Sequence, residues 1–154
     1  MNEFFFNEIR NGNVVEVTAM LKQNPMLLHS KDQRGSSPLI LATYYDQQEI
    51  VEILLNSGAK IDVKDASGNT ALMGVCFKGY ADIVKLLLEN GANVNEQNAM
   101  GATCLIYAAT FNRMEIAKLL LANGADISIR DIRGKTALDH AIIQGVQSLI
   151  DLFE

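Results

Sequence analysis

The chain of 154 residues has no tryptophan, two prolines and two cysteines. Cys76 and Cys104 form no CxxC pair, so the sequence offers neither a disulfide framework nor a zinc site. Both are expected to be reduced, packed thiols. Histidine is equally scarce. His29 and His140 are the only two, and neither has a partner at metal-ligand or triad spacing. Long apolar runs are missing: no window approaches the roughly 18 residues of a membrane span. Residues Met1 to Arg10 carry Glu3, Glu8 and only three phenylalanines, without the basic start and longer apolar stretch of a secretory signal. None of the thirteen asparagines stands in an Asn-x-Ser/Thr acceptor. A cytoplasmic location is the expectation. Positive charge is in deficit as well, at 13 basic against 18 acidic residues. A net charge of −5 argues against binding to nucleic acid or an anionic membrane by bulk electrostatics.

What is present is the composition of a folded chain, 49% hydrophobic and 20% charged, and long enough to bury a core as one domain. It is also periodic. Gly35, Gly68, Gly101 and Gly134 lie 33 residues apart, and Gly58, Gly91 and Gly124 keep the same spacing, each followed by alanine. Hydroxyls recur at Ser37, Thr70, Thr103 and Thr136, with leucines two places on at Leu39, Leu72, Leu105 and Leu138. Ile50, Ile83, Ile116 and Leu149 form another apolar column, and leucine pairs recur at Leu54–Leu55, Leu87–Leu88 and Leu120–Leu121.

Each column has a local meaning. Gly35 and its equivalents suit a tight turn where positive φ must be cheap. The hydroxyl two residues later is a helix N-cap. Pro38 fits the first helical position, where no N–H is needed. A short helix follows, for example Leu39 to Tyr44, then a second from about Gln48 to Asn56 that ends at Gly58 in a left-handed cap. Between the helices stand Gly12, Asp46, Gly79, Asn112 and Gly145, the residue types that best tolerate left-handed backbone.

This unit resembles the ankyrin repeat over nearly the whole chain. The family's Thr-Pro-Leu-His start reads as Ser37–Pro38–Leu39–Ile40, Thr70–Ala71–Leu72–Met73, Thr103–Cys104–Leu105–Ile106 and Thr136–Ala137–Leu138–Asp139. The Leu-Leu-x-x-Gly-Ala-Asn-Val-Asn end is clearest from Leu87 to Asn95. The resemblance implies an all-α fold, an ankyrin-repeat α-solenoid of helix-turn-helix units with β-turn fingers. We read residues 1–33 as an N-terminal capping repeat, 34–66, 67–99 and 100–132 as full repeats, and 133–154 as a truncated C-terminal cap. The motif histidine is replaced throughout, by Ile40, Met73, Ile106 and Asp139. Its hydrogen bonds must be missing, so apolar packing is expected to join neighbouring repeats. Asn95 stands at a loop position that is hydroxylated in some ankyrin proteins.

In such proteins the turn tips and the exposed side of the first helices form a concave face that commonly meets another protein. Carried over by register, that face holds 24 positions here, seven basic and none acidic. The residues expected to bind are Arg34, Tyr44, Tyr45, Lys64, Phe77, Lys78, Met100, Phe111, Arg130, Arg133 and Lys135. Aromatic anchors beside arginines are the composition of interface hot spots. The expected function is a non-catalytic adaptor, scaffold or inhibitor. It would act as a monomer and bind a protein with an acidic patch and some apolar knobs. No cofactor, metal, membrane or small-molecule substrate is implied. At a stacking distance of roughly 8–10 Å the face should run about 40 Å.

Asp32, Asp65 and Asp131 stand beside these positions and offset part of the basic character. A polyanion or RNA scaffold is the alternative reading, drawing on the same basic, aromatic stripe; the acidic total charge opposes it. Catalysis has no residue constellation to carry it. Gly134–Lys135–Thr136 resembles the end of a phosphate-binding loop, but Ile129 stands where the motif needs glycine. Asp82 with Lys85 and Glu115 with Lys118 read as i,i+3 pairs on a solvated face.

Overall fold

The computed structural model describes residues 2–154. Among them are ten α-helices, one 3-10 helix and no strand. The helices come in pairs: α1 (Asn2–Arg10) with α2 (Val14–Gln23), α3 (Pro38–Tyr44) with α4 (Gln48–Asn56), and α5 (Ala71–Lys78) with α6 (Ala81–Glu89). Then follow α7 (Cys104–Thr110) with α8 (Met114–Ala122), and α9 (Ala137–Gln144) with α10 (Gln147–Phe153).

The local signals act as the residue types dictate. Ser37, Thr70, Thr103 and Thr136 each accept, through the side-chain hydroxyl, from the backbone N–H three residues on, at 3.1 to 3.3 Å. Pro38 opens α3. Asp46 and Asn112 take positive φ (57° and 55°) in the turns where other pairs use glycine. The extra residue of the first unit is absorbed by a 3-10 helix, Pro25–His29, whose start is capped by Asn24 accepting from the N–H of Met26.

The first helices α1, α3, α5, α7 and α9 pack one on the next, and the second helices lie behind them. One continuous core results. Leu39, Leu72 and Leu105 are buried under the first helices, and Ile50, Ile83, Ile116, Leu54, Leu87 and Leu120 under the second. Among the described residues no helix is long and apolar enough to cross a membrane.

Where motif histidines are lacking, Ile40, Met73 and Ile106 are buried, so apolar packing does join neighbouring units. It is not alone. Each finger donates a backbone hydrogen bond to the previous one: Ala66 N–H to Arg34 O, Ala99 N–H to Ser67 O, and Ile132 N–H to Met100 O, at 3.0 to 3.1 Å. Side chains add further clasps. Lys31, Lys64 and Gln97 each donate to the carbonyl 33 residues on, and Arg113 donates to Phe77 O at 2.8 Å. A turn tip exposes carbonyls that no helix satisfies, and long polar side chains one unit away reach them.

The expected i,i+3 ion pairs on the second helices are not formed: no carboxylate of Asp82 or Glu115 lies within 4.0 Å of a cation among the described residues. These side chains are solvated singly, which fits the small gain such pairs give.

Candidate functional site: the groove between fingers and first helices

The fingers owe their shape to one column of residues. Asp32, Asp65, Asn98 and Asp131 each accept two backbone N–H groups on a single side-chain oxygen, at 2.9 to 3.0 Å. Each also brackets its turn by main-chain bonds, as in Asp65 N–H to Asn69 O (2.9 Å) and Gly68 N–H to Asp65 O (2.9 Å). The acids beside the face are therefore turn-closing groups first.

Their second side-chain atoms differ. Asp32 meets Arg10 at 3.4 Å, and Asp131 meets His140 Nε2 at 2.8 Å. Asn98 donates to Asn69 Oδ1 (2.8 Å) and to the Tyr107 hydroxyl (2.9 Å). Burial opposes ionisation of Asp131, yet the N–H of Lys135, His140 and the N–H of Arg133 together hold its carboxyl below the usual range. Burial pushes the Tyr107 hydroxyl up, the bond from Asn98 works against this, and the nearby charge of Asp65 adds to the rise.

Of the eleven expected contact residues, Arg34, Tyr44, Tyr45, Phe77, Met100, Phe111, Arg130 and Arg133 are exposed, while Lys64, Lys78 and Lys135 are half-buried. Five come together with structural meaning. Tyr44 and Tyr45 pack edge-on at 5.7 Å, and the Lys78 ammonium lies 4.9 Å over the Tyr44 ring. Phe77 and Phe111 meet edge to face at 4.8 Å. Two residues are turned to other partners. Lys64 is held by Gln97 O (3.0 Å) and Glu96 (3.2 Å), and Arg130 folds back on Gly134 O (2.7 Å) and Asp139 (3.8 Å). Met100, Arg133 and Lys135 belong to the later fingers and lie outside the groove described next.

That groove has two adjoining depressions. One, of about 620 Å³, runs past Arg10, Arg34, Tyr44 and Tyr45; the other, of about 310 Å³, is lined by Tyr44, Phe77, Tyr107 and Phe111 over Gly74. They share Ile40, Tyr44 and Asp65. Tyr107, Gly74 and Asp65 were not among the expected site residues. The signal for Gly74 and Tyr107 is the register column Leu41, Gly74, Tyr107 and His140, in which one member has no side chain; Asp65 stands in the turn-closing column.

A family model of ankyrin repeats matches in three copies, over residues 7–65, 58–131 and 73–153. The chain belongs to the ankyrin-repeat family. A search of curated proteins finds no significant match. Ankyrin repeats generally mediate protein–protein interaction. Among the described residues of this ankyrin chain no three His, Cys, Asp or Glu side chains are grouped to hold a metal ion. Asn95 uses its amide in both directions across the loops, donating to Gly124 O (3.1 Å) and accepting from Asp126 N–H (2.8 Å). Gly134–Lys135–Thr136 is the last finger and the N-cap of α9, with Gly134 at φ 78°. Cys76 and Cys104 are both buried, and burial together with Cys104 pushes the Cys76 thiol well up.

Proposed function

We propose that this ankyrin chain is a non-catalytic adaptor, scaffold or inhibitor that binds another protein through its finger tips and first helices. The observation that carries the reading is where exposed apolar side chains lie. Of twelve large hydrophobic residues exposed among those described, seven fall on the 24 face positions: Tyr44, Tyr45, Phe77, Met100, Phe111, Ile132 and Ile143. Clustered exposed apolar groups beside arginines favour an interface over a merely solvated surface. An acidic patch on the partner remains the best electrostatic match. Arg34, Arg133 and Lys135 have no carboxylate within 4.0 Å among the described residues, and stand free to meet it.

Affinity capture with the wild type beside a Tyr45/Phe77/Phe111 triple alanine tests the reading. A partner held by the wild type and weakened by more than about 1 kcal/mol per anchor in the variant supports both function and face. A partner held equally by both moves the site elsewhere. Retention of RNA alone, falling steeply with salt, would replace the reading with the polyanion scaffold.

A further inference from the structure

Four fingers carry the same turn-closing column, and three of them either give its second side-chain oxygen a partner or replace the acid. Asp32 has Arg10, Asp131 has His140, and the third finger uses uncharged Asn98. Asp65 is the exception. Its Oδ1 accepts from Ser67 and Asn69, while its Oδ2 has no hydrogen-bond partner and no cation within 4.0 Å among the described residues. That carboxylate lines the 310 Å³ depression, whose other lining includes four aromatic rings, Tyr44, Phe77, Tyr107 and Phe111.

The depression exists because of Gly74. In the neighbouring helices the same register position is Leu41 and Tyr107. A Cβ built on Gly74 would have one neighbour within 4 Å, Tyr44 Cδ1 at 3.8 Å, an ordinary contact distance, so a side chain would not clash at its first atom. The glycine is not there for its backbone, since its φ is not positive. Helix interiors disfavour glycine, and no packing demand explains it.

We propose that this depression receives an arginine side chain of the partner protein, stacked among Tyr44, Phe77, Tyr107 and Phe111 with its guanidinium on Asp65. This rests on the reading of the face as a protein-binding surface. Charge decides the chemistry. An apolar side chain seated there would bury the unpaired carboxylate of Asp65, which is strongly unfavourable. A guanidinium satisfies it, and its flat, weakly hydrated fork stacks on aromatic faces in a way a lysine ammonium does not. The Tyr44 ring already draws the Lys78 ammonium to 4.9 Å, so its face attracts cations.

The test is an amide-resolved NMR titration of the full chain with N-acetyl-arginine methylamide, beside its uncharged citrulline counterpart. We expect saturable shifts centred on Gly74, Asn69 and Tyr107, with a dissociation constant of about 1–10 mM, and none with citrulline. Asp65→Asn should lose the shifts at least tenfold without unfolding, because Asn98 closes the same turn in the next finger. Gly74→Leu should also lose them by filling the floor, and Gly74→Ala is the milder substitution should leucine disturb α5. Equal binding of citrulline, tighter binding of the lysine amide, or an Asp65→Asn protein that binds like wild type overturns the proposal. The two readings separate cleanly. Partner capture lost in the triple alanine without any arginine binding sinks the pocket alone. Arginine binding without any protein partner sinks the reading of the face.

Discussion

Gly74 and Gly68 differ in what they tolerate. Gly68 has φ +80°, and a Cβ there would stand 2.8 Å from Ala99 N, the backbone that bonds its finger to the next. Neither the strain nor the clash can be relieved by a rotamer, so Gly68→Ala should destabilise by at least about 2 kcal/mol. Gly91 also has positive φ, but nothing lies within 4 Å of its Cβ position, and Gly91→Ala should cost only about 1 kcal/mol. Gly74→Ala should do the reverse and stabilise by about 0.5–1 kcal/mol, since an ordinary helical residue replaces glycine where its Cβ meets only Tyr44 Cδ1, at 3.8 Å. Urea denaturation of the three variants gives the order directly. A Gly74→Ala that destabilises would mean the position is structurally required and would remove the argument that it is kept for a ligand.

At the scale of one finger, Asp32, Asp65 and Asp131 were visible in the sequence as charge beside the face, but the partner of each second oxygen was not. Charge can be counted from residue types, whereas the second oxygen's partner depends on which unit packs alongside. The same limit explains Lys64 and Arg130. Their register predicted a face toward a partner, and their reach toward exposed carbonyls and carboxylates nearby took them elsewhere. Caps, paired helices and the apolar columns were legible because they repeat every 33 residues and act locally. The last finger makes a pH prediction. Asp131 is held down against its burial by Lys135 N–H, His140 and Arg133 N–H, and Asp139 by Thr136 first and then by Arg130 and Lys135. A depressed folded pKa adds stability that is full above the unfolded value of about 4 and disappears as pH falls through the folded one. Thermal melts below about pH 4 should therefore show progressive loss, and Asp131→Asn, which keeps the turn as Asn98 does, should reduce that acid slope. An unchanged slope would place the acid response in other carboxylates.

Across the whole molecule, each helix pair makes its main contacts with its neighbours, so stability should behave as a sum of unit and interface terms. Position along the stack then decides what a core deletion does. Leu87, fully buried in α6, has a neighbour on either side, and Leu87→Ala should lower global stability by about 2–5 kcal/mol. Phe153 is buried too, at 3% exposure, but in α10, the last helix, which packs on α9. Its removal deletes a comparable apolar area without opening any interface further in. Hydrogen exchange distinguishes the two. Phe153→Ala should speed exchange of amides in α9 and α10 by local opening while α5 and α6 keep their protection, and Leu87→Ala should speed all units together. The groove lies over α3, α5 and α7, so a chain frayed at α10 should still bind at that groove with wild-type affinity. Uniform acceleration in Phe153→Ala would instead mean that the five helix pairs unfold as one cooperative block, and that stability at the groove depends on its far end.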